Sequence, residues 1–96
     1  MIQPLDEGTQ RFLKALASET RQQIMLTFAG GESLTVGEVA TRCALGQSTA
    51  SEQLSLLRQS GLLTAVKQGK NVHYSADAES IRSSLGELQD YLARCC

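Results

Sequence analysis

Residues 35–61 read TVGEVATRCALGQSTASEQLSLLRQSG, and the way this stretch divides decides the fold. Thr35 followed three positions later by Glu38 has the form of a capping box. The hydroxyl can accept from the third backbone N–H of a new helix while the carboxylate reaches back to the cap. A short helix follows through about Cys43, with Val36, Val39 and Ala40 on its inner face. Leu45-Gly46 then makes a tight turn. The next helix runs from about Gln47 to Ser60: Ala50, Leu54 and Leu57 recur at helical spacing, and Gly61 suits a left-handed stop. A short helix, a tight turn and a helix with a polar front form a helix-turn-helix unit over about residues 35–60.

Upstream, a helical pattern runs from about Thr9 to Ala17 with Phe12, Leu13 and Leu16 on one side. Ser18 can cap a second helix over about residues 19–29, in which Ile24, Leu26 and Phe28 supply apolar surface and Gly30 ends the element. Downstream, Leu63 to Lys67 and Asn71 to Ser75 read as short strands around Gly69-Lys70, the chemistry of a hairpin turn. A hairpin directly after a helix-turn-helix is a wing, here about residues 63–75. Asp77 can cap a last helix over about residues 78–96. Its apolar residues Ile81, Leu85, Leu88, Leu92 and Cys95 form one continuous stripe. A chain of 96 residues has little surface of its own to cover such a stripe. The expectation is a mainly α fold with an α+β wing, in ααααββα order, as a single winged helix-turn-helix domain over residues 1–96. It dimerises through its first and last helices, with Ile81, Leu85, Leu88 and Leu92 at the seam.

Composition narrows the class. With 42% hydrophobic and 20% charged residues the chain has the balance of an ordinary soluble domain. Its longest apolar run is well short of the ~18 residues of a membrane span, and residues 1–8 lack a signal-peptide pattern. The expected location is the cytoplasm, where the three cysteines stay reduced and structural disulfides are not expected. The net charge of -1 argues against nucleic-acid binding by the whole surface. Yet Arg42, Arg58, Lys67 and Lys70 stand against Glu52 alone among residues 41–75, while both flanks are acidic. There is no nucleophile–base–acid set and no phosphate-cradling glycine loop, so an enzyme is not expected.

In a helix-turn-helix the second helix enters the major groove with its N-terminal residues at the base edges. That end carries Gln47, Ser48, Thr49, Ser51, Glu52 and Gln53. Hydroxyls can bond phosphates or bases, glutamine can pair bidentately with adenine, and the helix-end amides attract phosphate. Helix capping alone accounts for one such residue and not for a whole polar face. Arg58 and the wing residues Lys67, Lys70 and Asn71 complete the expected DNA-contacting set, the wing tip suiting phosphates or an adjacent minor groove. His73, next to Tyr74, is expected to pack at the wing base and not to bind metal, because no other His exists to join it.

Leu16-Ala17-Ser18-Glu19-Thr20-Arg21 resembles the LA-(S/D)-x-x-R opening of the ArsR/SmtB repressors. Residues 46–58, GQSTASEQLSLLR, resemble their SQSTVSxHLxxLR recognition helix, and Gly61-Leu62-Leu63 with residues 69–75, GKNVHYS, resembles their wing. Gln53 stands where His is usual, and Gly46 where Ser is usual. The resemblance spans about residues 12–75 and implies a homodimeric repressor of operator DNA, released when an inducer binds.

Family members sense metals or thiol chemistry at sites that vary in position. The third-helix site reads ELCVCDL, but here Thr35 and Gly37 occupy the cysteine positions. The last-helix zinc site needs His, which this last helix lacks. Cys95-Cys96 at the end and Cys43 remain. Adjacent thiols suit a thiophilic centre such as As(III) or Sb(III), which takes three sulfurs in a pyramid, and some arsenic-sensing relatives place thiols near this point. The expected inducer site is Cys95 and Cys96, with the third sulfur from Cys43, a small thiol or a residue beyond Cys96. Thiol redox sensing by the same fold is one alternative, and a winged-helix protein-interaction module without DNA binding is another.

Overall fold

The computed structural model describes residues 3–95. Among them the elements run α1 (Glu7–Leu16), α2 (Glu19–Leu26), β1 (Leu34–Thr35), α3 (Val36–Cys43), α4 (Gln47–Gln59), β2 (Leu63–Gln68), β3 (Asn71–Ala76) and α5 (Ala78–Cys95). The winged helix-turn-helix expected from the sequence is present, with one strand more than the ααααββα order contains.

Local chemistry sets the boundaries. The Asp6 carboxylate accepts from the Thr9 N–H at 2.7 Å, so α1 begins two residues before the apolar pattern does. Ser18 caps α2 by accepting from Arg21 N–H. That helix ends at Leu26 and not near Ala29, because Phe28 and Ala29 donate to carbonyls three residues back, the tighter spacing of a 3₁₀ turn. The Thr35–Glu38 capping box forms in full at α3. Between α3 and α4 the chain turns through Ala44 in the left-handed conformation, and Leu45 N–H closes back on the Ala40 carbonyl at 2.9 Å. After α4, Gly61 takes φ +81 and turns the chain into β2.

β2 and β3 form the hairpin with Gln68 opposite Asn71, and β1 adds to the other side of β3, giving the order β1-β3-β2. β1 is only two residues long, too short to show an alternating pattern, so periodicity could not reveal it. Alternation turns Leu63, Ala65, Val72 and Tyr74 toward the helices and leaves Val66 and His73 opposite one another on the outer face. His73 thus sits within the strand, half-buried, with Thr35 on its other side.

The core joins Phe12 and Ala15 of α1, Ile24 of α2, Phe28, Leu34, Val39 of α3, Leu54 and Leu57 of α4, and Leu62, Leu63 and Tyr74 around the wing. Leu26, expected to contribute, is instead 73% exposed. α5 behaves differently from every other helix: over 18 residues it has no buried side chain. Ile81 packs on the core, Leu88 is half-buried, and Leu85 and Leu92 are each 51% exposed. α5 touches the rest of the chain chiefly through α1. The radius of gyration, 14.7 Å, exceeds the roughly 13 Å of a compact chain this long, and the longest dimension is 48 Å.

Candidate nucleic-acid interface

α4 starts with its polar end open. Its N-cap is Gly46, which offers no side chain, and no capping hydrogen bond forms there. The first intrahelical donor is Ala50 N–H to Gly46 carbonyl. The N–H groups of the preceding turn therefore point outward, where the helix dipole adds partial positive charge. Gln47, Ser48, Thr49, Ser51 and Glu52 are all exposed around this end, while Ala50 and Leu54 on the opposite side are buried. Core packing of α3 against α4 holds the helix, so the polar front is presented by a rigid element.

The wing tip offers a second contact region. Lys67, Gln68, Gly69, Lys70 and Asn71 are all exposed, and Gly69 takes φ +62, the left-handed position that the tight turn needs. Arg58 is exposed in the last turn of α4. Among the residues expected at DNA, Glu52 is the one anion; it favours base amino groups and opposes phosphate.

Gln53 differs from its neighbours. It is half-buried, and its Oε1 accepts from Arg21 Nη1 at 2.9 Å. The sequence places Gln53 in the polar run with nothing to show that its oxygen is already engaged. Arg21 was legible only as part of the family opening, with no partner assigned. The missed signal is physical: an arginine beside the end of α1 is within reach of that helix's last carbonyls, and a guanidinium with donors left over draws in a nearby amide oxygen.

A second polar cluster surrounds α3. Arg42 pairs with Glu32 at 3.2 Å, and that partnership raises the arginine's pKa. The Glu38 carboxyl is held below its ordinary value first by the Thr35 backbone N–H and next by the Thr35 hydroxyl. Arg42 therefore serves a local ion pair, which is exposed on both sides and screened by water.

The thiols are not gathered among the described residues. Cys43 ends α3 half-buried against the core, and burial pushes its thiol pKa up, which disfavours the thiolate that soft ions require. Cys95 is exposed near the end of α5, with its Sγ donating to the Leu92 carbonyl at 3.4 Å. Cys96 lies outside the described residues. No group of three or more His, Cys, Asp or Glu side chains among the described residues could hold a metal within one subunit.

Residues 16–66 match the family described as a helix-turn-helix domain. The transcriptional activator HlyU of Vibrio cholerae is 36% identical over 73 residues, 76% of this chain and 67% of that protein. HlyU has been solved under the description "Reduced HlyU", which superposes with a TM-score of 0.67 at 33% identity over 80% of this chain and 81% of that one. The arsenical resistance operon repressor of Escherichia coli is 44% identical over 64 residues, 67% of this chain and 55% of that protein. The homodimeric winged helix-turn-helix DNA-binding domain Mb0332 of Mycobacterium bovis, described as a possible ArsR-family transcriptional regulator, superposes with a TM-score of 0.72 at 29% identity. That match covers 92% of this chain and 80% of the other. No described helix is long and apolar enough to cross a membrane.

Proposed function

The chain belongs to the ArsR family of winged helix-turn-helix transcriptional regulators, and from that premise we infer that it is a cytoplasmic homodimeric repressor released from operator DNA by As(III) or Sb(III). The observation that carries the DNA-binding reading is the open, polar first turn of α4, uncapped and exposed on a helix whose other side is locked in the core. Ser48, Thr49, Ser51 and Gln47 read bases or hold phosphates there, and Lys67, Lys70 and Asn71 of the wing reach the flanking backbone.

Pairing is supported by α5. A helix with no buried side chain and a row of half-exposed leucines is half of an interface. Two copies joined there, with α1 beside the seam, present two α4 helices to successive major grooves about 34 Å apart.

The inducer reading rests on Cys95, exposed at the end of the pairing helix, together with the adjacent Cys96. Trivalent arsenic in water is As(OH)₃. Each thiol that binds it replaces one hydroxide, the thiol proton leaving with that hydroxide as water, so arsenic is neither oxidised nor reduced. Drawing thiols together at the end of α5 shifts the packing of the two α5 helices and with it the spacing of the α4 pair. A thousandfold loss of DNA affinity requires about 4 kcal/mol of coupling, within reach of As–S bonds. Thiol redox sensing is the second reading, favoured by a 36% identical relative that has been solved in a form described as reduced.

Titration of the complex between the protein and a duplex from its own promoter tests both. As(III) is expected to dissociate the wild-type complex and to leave the Cys95→Ser, Cys96→Ser double variant bound. Release by a mild oxidant with no response to As(III) selects the redox reading. Induction retained by the double variant rejects the C-terminal sensor. Binding that shows neither sequence preference nor salt dependence rejects the DNA-binding reading in favour of a protein-interaction module.

A further inference from the structure

We infer that Arg21 and Gln53 form a joint that fixes the recognition helix α4 to the end of α1, so that Gln53 is a positioning residue in DNA recognition and not a base reader. The inference rests on the proposed reading of α4 as the DNA-contacting helix. Arg21 lies in the first turn of α2, half-buried, and its guanidinium spans three elements. Nε donates to the Ala15 carbonyl at 2.7 Å, Nη2 to the Lys14 carbonyl at 3.3 Å and Nη1 to Gln53 Oε1 at 2.9 Å. Lys14 and Ala15 are in the last turn of α1, where the helix end favours a cation; the Lys14 carbonyl also accepts from the Ala17 N–H at 3.2 Å. One planar, donor-only group thus closes the C-terminus of α1 and grips α4 at the same time.

The chemistry also fixes the amide. A guanidinium has no acceptor, so the oxygen of Gln53 must be the atom that faces it. Bidentate reading of adenine needs both the amide oxygen and the amide nitrogen turned to the base, which would break the contact with Arg21. Gln53 is also less exposed than Gln47, Ser48, Thr49, Ser51 and Glu52, the polar residues before it in the helix. α1 in turn packs on α5, so Arg21 is the polar link in a short path from the exposed leucine row of α5, through α1, to the helix that reads DNA.

The test has one arm with DNA and one without. In the DNA arm, the ratio of specific to nonspecific affinity is measured for wild type, Gln53→Ala, Arg21→Lys and the double variant, over a set of duplexes each altered at one base pair. Each single variant is expected to lower the ratio about tenfold, the scale of one charge-assisted hydrogen bond. Discrimination should fall at every contacted base pair, and the double variant should be no worse than the worse single. Discrimination lost at one base pair in Gln53→Ala, with Arg21→Lys neutral, means that Gln53 reads a base and overturns the inference. Losses that multiply in the double variant also overturn it. In the DNA-free arm, residual dipolar couplings report the orientation and order of α4 relative to α1. Gln53→Ala and Arg21→Lys should both loosen α4, and Gln53→Glu, which keeps an acceptor oxygen, should hold it as wild type does. Unchanged couplings in both loosening variants overturn the joint. A wild type that prefers no duplex rejects the DNA-binding reading, and the dipolar couplings then decide the joint by themselves.

Discussion

Ser48 and Ser51 are exposed near the start of a helix that the core holds still, which makes them the sharpest test of base reading. Replacing both with Ala removes two hydroxyls without touching packing. Specific affinity is expected to fall about tenfold or more while nonspecific affinity changes little, measured by fluorescence anisotropy on matched and scrambled duplexes. Equal losses on both would mean that the hydroxyls only hold phosphates. Lys70 tests the wing in a different currency. Lys70→Ala should lower the slope of log affinity against log salt by about one unit, because binding without that phosphate contact releases about one counterion fewer; an unchanged slope takes the wing tip off the DNA.

At the scale of elements, the turn from α4 into the wing is the most sensitive joint. Gly61 has φ +81, and a Cβ there would lie 2.8 Å from Ser80 Oγ at the start of α5. Gly61→Ala therefore combines a left-handed penalty of about 1–2 kcal/mol with a contact that must move. Chemical denaturation is expected to show a loss of at least that size, and a neutral result would mean that the turn relaxes freely. Acid acts on the helix starts. Asp6 is held below its ordinary value first by the Thr9 backbone N–H, and Glu38 by that of Thr35. A lowered folded pKa stabilises the fold fully above the unfolded value of about 4 and loses that contribution as pH falls through the lower folded value. Helix content followed by circular dichroism should drop over that acidic range, and Asp6→Asn should blunt the drop.

Much of this level was legible in the sequence. Ser18, Thr35 and Gly61 marked their helix ends because capping and left-handed turns demand particular side chains. Other features were hidden, the early end of α2 and the exposure of Leu26 among them. α1 begins at an aspartate that precedes the apolar pattern. β1 is too short to have a period. The Arg21–Gln53 contact joins residues 32 positions apart, a separation at which local pattern carries no information.

For the whole molecule, the proposed pairing rests on the exposure of α5. The core is complete from α1 to β3, yet α5 extends along it with leucines half in water. The apolar stripe was readable as a heptad-like pattern, but its division was not: Ile81 serves the core, leaving Leu85 and Leu92 facing outward. Sedimentation of the protein alone and mixed with a duplex from its own promoter tests the pairing most directly. A dimer in solution and two chains on each site are expected. A lone chain at working concentration that remains single on the duplex would contradict the pairing.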